Sequence, residues 1–187
     1  MMRRFCDILF SLIGLVLFSP LLIVLIIIGF FDTGSPIFRQ ERVGKGKRPF
    51  RLMKFRSMHV NAPSVATHLA SASSITPFGS FLRKSKLDEL PQLWNVFVGD
   101  MSLVGPRPNL FNQEELIHER DSRGVYSVSP GITGLAQINL IDMSMPQHLA
   151  ETDAKMIIEL NTLGYFKYIF FTVFGKGFGD RIKKENP

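Results

Sequence analysis

The chain has 187 residues, enough for one domain with a moderate core plus a membrane element. Its formal charge of +6 and pI near 9.7 point to anionic partners: a nucleotide, a phospholipid headgroup or a nucleic acid. No zinc-finger, RNP or helix-turn-helix pattern accompanies the basic residues, which argues against nucleic acid, and the single cysteine, Cys6, rules out an internal disulfide.

Ile8 to Phe31 is a run of 24 residues without a charge, long enough to cross a bilayer as one helix. Ser19-Pro20 divides it into two halves of twelve. Pro20 lacks an N–H and crowds the turn before it near Val16, which predicts a kink. The Ser19 hydroxyl is placed to cover a freed carbonyl. Each half reaches about 18 Å, slightly more than the roughly 15 Å of one leaflet's hydrocarbon. Arg3 and Arg4 precede the run, and Arg39, Arg42, Lys45, Lys47 and Arg48 follow it. Positive residues mark the cytoplasmic side, so a helix-break-helix that enters and leaves by one face satisfies both flanks. A kinked single span is the alternative, because Pro is common in membrane helices. The expectation is a re-entrant hairpin over residues 1–36 and a catalytic part over 37–187. A signal peptide does not fit, since the apolar core is too long and no small-x-small cleavage site follows.

Ile37 to Gly44 and Phe50 to Phe55 alternate with a period near two around the turn-rich Gly44-Lys45-Gly46-Lys47-Arg48-Pro49, which predicts a short β-hairpin. Its cations suit headgroups or a nucleotide, or simply form a solvated face. Asn61 to Ser74 is rich in Ala and Ser and reads as a mobile loop. Thr76-Pro77 starts a helix that runs to about Lys84. Pro91 places Asp88 and Glu89 near the N-terminal end of the next helix, which extends to about Phe97. Leu87, Leu90, Leu93, Trp94 and Phe97 form its apolar face, with Trp94 as a core or interfacial anchor. Gly99 and Gly105 flank Asp100-Met101-Ser102-Leu103-Val104 and permit tight backbone turns. Pro106 and Pro108 restrict the backbone of Arg107, aiming its guanidinium at a phosphate, a uracil edge or a buried carboxylate. Tyr165 to Lys176 is apolar and aromatic but too short to span. It suits an interfacial helix stopped at Gly175, or a buried core helix.

Charge sharpens the picture. From Thr33 to Leu87 the chain carries eleven Lys or Arg and one acid, Glu41; then Asp88 and Glu89 stand side by side. Carboxylates among cations are ionised at neutral pH and can hold Mg²⁺ or attack an electrophile. The cations draw in an anion that needs the same metal, and a nucleoside diphosphate fits. The plainer explanation is two acids favoured at a helix start. His59, His68, His118 and His148 show no ligand spacing.

The motifs carry more. Thr76-Pro77-Phe78-Gly79-Ser80-Phe81-Leu82-Arg83-Lys84, then Leu87-Asp88-Glu89-Leu90-Pro91-Gln92-Leu93-Trp94-Asn95-Val96, then Gly99-Asp100-Met101-Ser102-Leu103-Val104-Gly105-Pro106-Arg107-Pro108 resemble the bacterial sugar transferases. More narrowly, they resemble the monotopic phosphoglycosyl transferases that start lipid-linked glycan assembly. Phe38 to Gly44, Lys54 to Met58 and Pro130 to Gln137 match in the same order. The resemblance implies an α+β, mainly α fold. A re-entrant helix-break-helix hinged at Ser19 and Pro20, a small β-hairpin and amphipathic interfacial helices would surround a compact catalytic domain on the cytoplasmic face of the bacterial inner membrane. It implies transfer of sugar 1-phosphate from a UDP-sugar to undecaprenyl phosphate, with Mg²⁺ and release of UMP. Asp88 would be the nucleophile and Glu89 would bind metal or orient the attacking group, the pair serving as metal ligands. Lys54 and Arg83 would contact phosphate, and Arg107, between Pro106 and Pro108, the nucleotide. Expected partners are anionic membrane lipids, downstream glycosyltransferases and, in a homodimer, a second copy. The resemblance leans towards an N-acetylated hexose.

Departures exist. Lys86 stands where Ser or Thr commonly precedes Leu-Asp-Glu, removing a capping hydroxyl, and Ser129 stands where a basic residue often precedes Pro-Gly-Ile-Thr-Gly. Ile141 to Leu163 carries few family signals and is a candidate for sugar specificity. Two other functions compete: a metal-dependent nucleotide-sugar hydrolase, and a non-catalytic basic protein of the membrane surface.

Overall fold

The computed structural model describes residues 2–62 and 72–174. Helices α1 (Met2–Leu17) and α2 (Ser19–Thr33) meet at a bend of 62°. The Ser19 hydroxyl donates to the Val16 carbonyl at 2.8 Å, the acceptor that an N–H at position 20 would have used. Among the described residues no single helix is long and apolar enough to cross a membrane, although the bent pair passes by length and composition. Ile13, Leu17, Ile23, Ile27 and Phe31 project from it exposed. The pair is not isolated, because Leu25 packs with Phe55 and Leu82.

Strands β1 (Ile37–Val43) and β2 (Pro49–Phe55) form the expected antiparallel hairpin, pairing Ile37 with Phe55 and Val43 with Pro49. The tight connection holds Gly46 at φ 62°, a conformation that costs glycine little. Phe50 and Leu52 pack with Val96 and Met101, so the hairpin's inner face covers the helix that follows the acidic pair. Helix α3 (Pro77–Ser85) starts as Thr76-Pro77 predicts. The Thr76 hydroxyl accepts from the Gly79 N–H at 2.9 Å and donates to Asp32 at 2.7 Å, tying this helix to the end of α2. Such a cap is worth about 1 kcal/mol.

The acidic pair departs from expectation. Leu87–Glu89 form their own 3₁₀ turn, and helix α4 (Gln92–Val98) begins only after Pro91. Lys86 supplies no side-chain cap and adopts a left-handed backbone, φ 58°, which breaks the path from α3 into α4.

A second sheet was not expected. Strands β3 (Ser102–Val104) and β4 (Gly131–Thr133) pair in parallel. At three residues each they are too short to display a period of two. Glycine makes the pairing possible at its edge: a Cβ on Gly131 would lie 2.0 Å from the Gly105 nitrogen. Helices α5 (Glu114–Ser122), α6 (Leu135–Ile138), α7 (Pro146–Glu159) and α8 (Thr162–Val173) follow among the described residues. The stretch read as signal-poor, 141–163, thus contains α7, whose Asp153 is fully buried. Helix α8 is buried along one side and exposed along the other. Tyr165 is buried in a cluster with Val104 and Met156, while Leu163, Phe170 and Val173 are exposed. The Gly175 stop, His68 and most of the Ala/Ser-rich loop lie outside the described residues.

One buried knot holds the first helix to this body. Asp7 Oδ1 accepts from the Ser102 hydroxyl at 3.0 Å, the Leu103 N–H at 2.8 Å and the Tyr165 hydroxyl at 2.7 Å. Burial, and then the neighbouring Asp7, push the Tyr165 hydroxyl pKa up. Arg3 and Arg4, expected only as a charged flank, also have specific partners. Arg4 donates to the Val96 and Phe97 carbonyls at the C-terminal end of α4, at 2.5 and 2.8 Å, where a cation suits the helix dipole. Arg3 donates to the Leu160 carbonyl at 2.5 Å.

Candidate active site

Asp88 and Glu89 sit on the 3₁₀ turn between α3 and α4, with Asp88 buried at 6% exposure. Two elements reach Glu89. Lys54, near the end of β2, places its ammonium 3.3 Å from Glu89 Oε1, and the Arg107 guanidinium lies 2.8 Å from the same oxygen. These partners come from positions 54, 89 and 107, so their meeting depends on the whole fold. Lys86 completes the charged group: burial lowers its pKa, Arg107 lowers it further and Glu89 opposes both.

Each arm is fixed by a buried polar anchor. Asn95, 2% exposed in α4, accepts from the Met53 N–H at 3.0 Å and donates to the Arg51 carbonyl at 2.8 Å, which holds β2 beside Lys54. The Pro106–Asn109 segment has each carbonyl engaged. Pro106 accepts from the Gly131 N–H at 2.8 Å, Arg107 from Arg120 at 2.9 Å, Pro108 from Arg42 at 3.4 Å and Asn109 from the Val43 N–H at 2.9 Å.

Arg83 stands apart from this group in the contacts it makes. Its Nε donates to the Ser57 hydroxyl at 2.8 Å, while its Nη1 is buried without a partner. A buried guanidinium donor with no acceptor suits an incoming anion. The mount is tight, since a Cβ on Gly79 would lie 2.0 Å from the Ser57 carbonyl oxygen. The structure therefore brings Lys54, Glu89 and Arg107 together, seats Asp88 next to them in the turn, and leaves Arg83 on the last turn of α3 facing Ser57.

The donor set bears on the metal. Among the described residues no group of three or more His, Cys, Asp or Glu could cage an ion. Mg²⁺ takes one or two carboxylates and completes its octahedron with water and substrate phosphates. Two adjacent carboxylates fit an ion shared with a diphosphate, whereas they could not form an all-protein cage.

A family model described as bacterial sugar transferase matches residues 1–177. The chain belongs to the bacterial sugar transferase family. Among its relatives, a UDP-glucose:undecaprenyl-phosphate glucose-1-phosphate transferase from Klebsiella pneumoniae is 39% identical over 94% of the chain and 40% of the relative. A UDP-galactose-lipid carrier transferase from Erwinia amylovora is 39% identical over 74% of the chain and 32% of the relative. A UDP-N-acetylgalactosamine-undecaprenyl-phosphate N-acetylgalactosaminephosphotransferase from Aeromonas hydrophila is 40% identical over 73% and 33%. The matched part thus spans 32% to 40% of the length of these relatives.

The sequence alone assigns no individual role to Asn95, Ser57, Asp7, Arg120 or Asp153, although Asn95 and Ser57 lie within the matching motifs. Asn95 carried a weak signal, because Asn is a poor residue for a helix interior unless its amide has work there. The others make contacts between distant positions that no local pattern announces.

Proposed function

We propose that this bacterial sugar transferase moves sugar 1-phosphate from a UDP-sugar to a polyprenyl phosphate, undecaprenyl phosphate by analogy with its relatives, and releases UMP. The observation that carries the reading is the turn in which buried Asp88 adjoins Glu89, itself held between Lys54 and Arg107. An Asp88 carboxylate oxygen attacks the β-phosphorus. The bond from that phosphorus to the bridging oxygen breaks, and UMP leaves with the oxygen and the electron pair. A polyprenyl phosphate oxygen then attacks the aspartyl phosphosugar, the Asp88–phosphorus bond breaks, and the carboxylate is regenerated. Splitting the displacement in two avoids bringing two polyanions together in one step. Arg107, Lys54 and Lys86 offset the phosphate charge, and the partnerless Nη1 of Arg83 supplies a further donor. Asp88 and Glu89 would hold Mg²⁺, which supplies Lewis-acid neutralisation of the diphosphate.

The membrane reading is part of the proposal. The bent pair α1–α2 dips into the cytoplasmic leaflet of the bacterial inner membrane, and exposed Leu163, Phe170 and Val173 of α8 rest at the interface. On this reading a lipid phosphate and a soluble nucleotide meet at Asp88. Single cysteines at residue 2 and near Lys45 are expected to label only from the cytoplasmic side; labelling of residue 2 from outside makes the segment an ordinary span. The donor we put forward is an N-acetylated hexose, as in the name of the Aeromonas relative.

A UDP-sugar labelled at the β-phosphate tests the reaction. Label in organic-extractable lipid, dependent on polyprenyl phosphate, supports transfer. Label in water-soluble sugar phosphate makes the protein a hydrolase, and unreacted donor makes it a binder. Running UDP-glucose, UDP-galactose and their N-acetylated forms in parallel reads the sugar.

A further inference from the structure

We infer that Arg120 and Asp153, neither of them at the reacting atoms, are positioning residues that aim Arg107; the inference rests on the nucleotide-sugar reading above. Arg120 in α5 is 1% exposed and Asp153 in α7 is 0% exposed. Asp153 Oδ2 takes the Arg120 Nε at 3.1 Å and Nη2 at 2.6 Å, fixing the plane of the guanidinium. The remaining nitrogen, Nη1, donates to the Arg107 carbonyl at 2.9 Å and to Asn109 Oδ1 at 2.9 Å. The Tyr126 hydroxyl also donates to Asn109 Oδ1, at 3.1 Å. One buried cation thus ties two helices to the backbone of the residue whose side chain pairs with Glu89.

Stability alone is a weak reason for such a pair. Desolvating two charges costs about as much as their attraction returns, and well-packed apolar residues often replace a buried pair without loss. Here the pair is also incompletely satisfied, since Asp153 Oδ1 is buried without a partner and burial raises the Asp153 pKa against the pull of Arg120. Directional bonding to the Arg107 carbonyl is what an apolar pair cannot reproduce. Prolines 106 and 108 leave Arg107 few backbone alternatives, so rotating that carbonyl would swing the guanidinium away from Glu89.

The test is a double variant, Arg120→Met with Asp153→Leu, made in the full chain in detergent. It is read by thermal unfolding and by the affinity for magnesium–UDP. The proposal expects a protein that still folds cooperatively, with a melting temperature only modestly lowered by the lost donor to the Arg107 carbonyl, and with magnesium–UDP bound about tenfold more weakly. It also expects Arg107→Met to add little in that background, because both changes remove one contribution. Unchanged affinity in the folded double variant overturns the proposal, as do effects that multiply with Arg107→Met. If the double variant does not fold, Asp153→Asn and Arg120→Lys give the same reading. Loss of fold in every variant assigns the pair to stability alone and overturns the proposal. A protein that binds magnesium–UDP but makes no lipid-linked product refutes the transfer reaction and still lets affinity judge the positioning. One that binds no magnesium–UDP overturns both.

Discussion

Two buried aspartates sit in this molecule under opposite conditions. Asp7 is 4% exposed, and its Oδ1 takes three donors from a serine, a backbone N–H and a tyrosine, with no basic side chain among them. Asp88 is 6% exposed and adjoins a carboxylate already engaged by Lys54 and Arg107, with Lys86 beside them. Neutral donors converging on one oxygen make a fastener: they fix the place of α1 against β3 and α8. Cations gathered around paired carboxylates make a receptor for more negative charge. Burial does not distinguish the two; the character of the neighbours does.

The largest effect belongs to the receptor. Asp88→Asn keeps shape and removes the proposed nucleophile, so turnover is expected to fall by about 10³-fold or more while nucleotide-sugar binding survives. Turnover within tenfold of the unmodified enzyme, measured by lipid-linked product, rejects the covalent route. The corresponding change at the fastener acts on stability. Asp7→Ala leaves the Leu103 N–H and the Tyr165 hydroxyl buried without their acceptor and should cost about 3 kcal/mol in denaturant unfolding. Asp7→Asn retains an oxygen acceptor and should cost less. Equal effects of the two variants argue that the hydrogen bonds to Oδ1 are not what holds α1.

A smaller effect is expected where α3 carries Arg83. Gly79→Ala drives a methyl into the Ser57 carbonyl and should cost about 2 kcal/mol. Because the helix must shift to make room, the apparent KM for the donor should rise as well. A variant with normal stability and KM shows that α3 yields without disturbing Arg83.

These expectations trace how much was readable in the chain. The Ser19-Pro20 break, the hairpin and the Thr76 cap are local, set by a proline, a two-residue period and a hydroxyl three residues from its partner, and each formed where the residues predicted it. The 3₁₀ turn around the dyad was mistaken for a helix start because the deciding event is the backbone of Lys86, and a lysine at φ 58° has no sequence signature. The parallel pair β3–β4 was missed because its strands are short and 28 positions separate Ser102 from the Gly131 beside it; only the glycines hinted at close backbone contact. For the candidate site, the residue types were legible from charge contrast and motif resemblance. The bonds from Arg120 and Asp153 were not, since they join α5, α7 and the Pro106–Asn109 segment through side chains that look like ordinary surface charges in the sequence.

The weakest of the expected effects is confined to high pH and follows from the fastener. Burial and Asp7 raise the Tyr165 pKa in the folded protein above its unfolded value of about 10. Below pH 10 both states keep the phenolic proton, so this group gives stability no pH dependence there. As pH climbs past 10 the unfolded chain releases the proton while the folded chain retains it. The contribution is then lost at up to about 1.4 kcal/mol per pH unit. Tyr165→Phe removes the titrating group, so the stability gap between unmodified protein and variant should be constant from pH 7 to 9 and narrow steadily above pH 10. Tyr126 and Tyr168, whose pKa values burial also raises, remain in both proteins and cancel in the difference. A gap that stays flat to pH 11 would show that the Tyr165 hydroxyl is not held against Asp7 in the folded state.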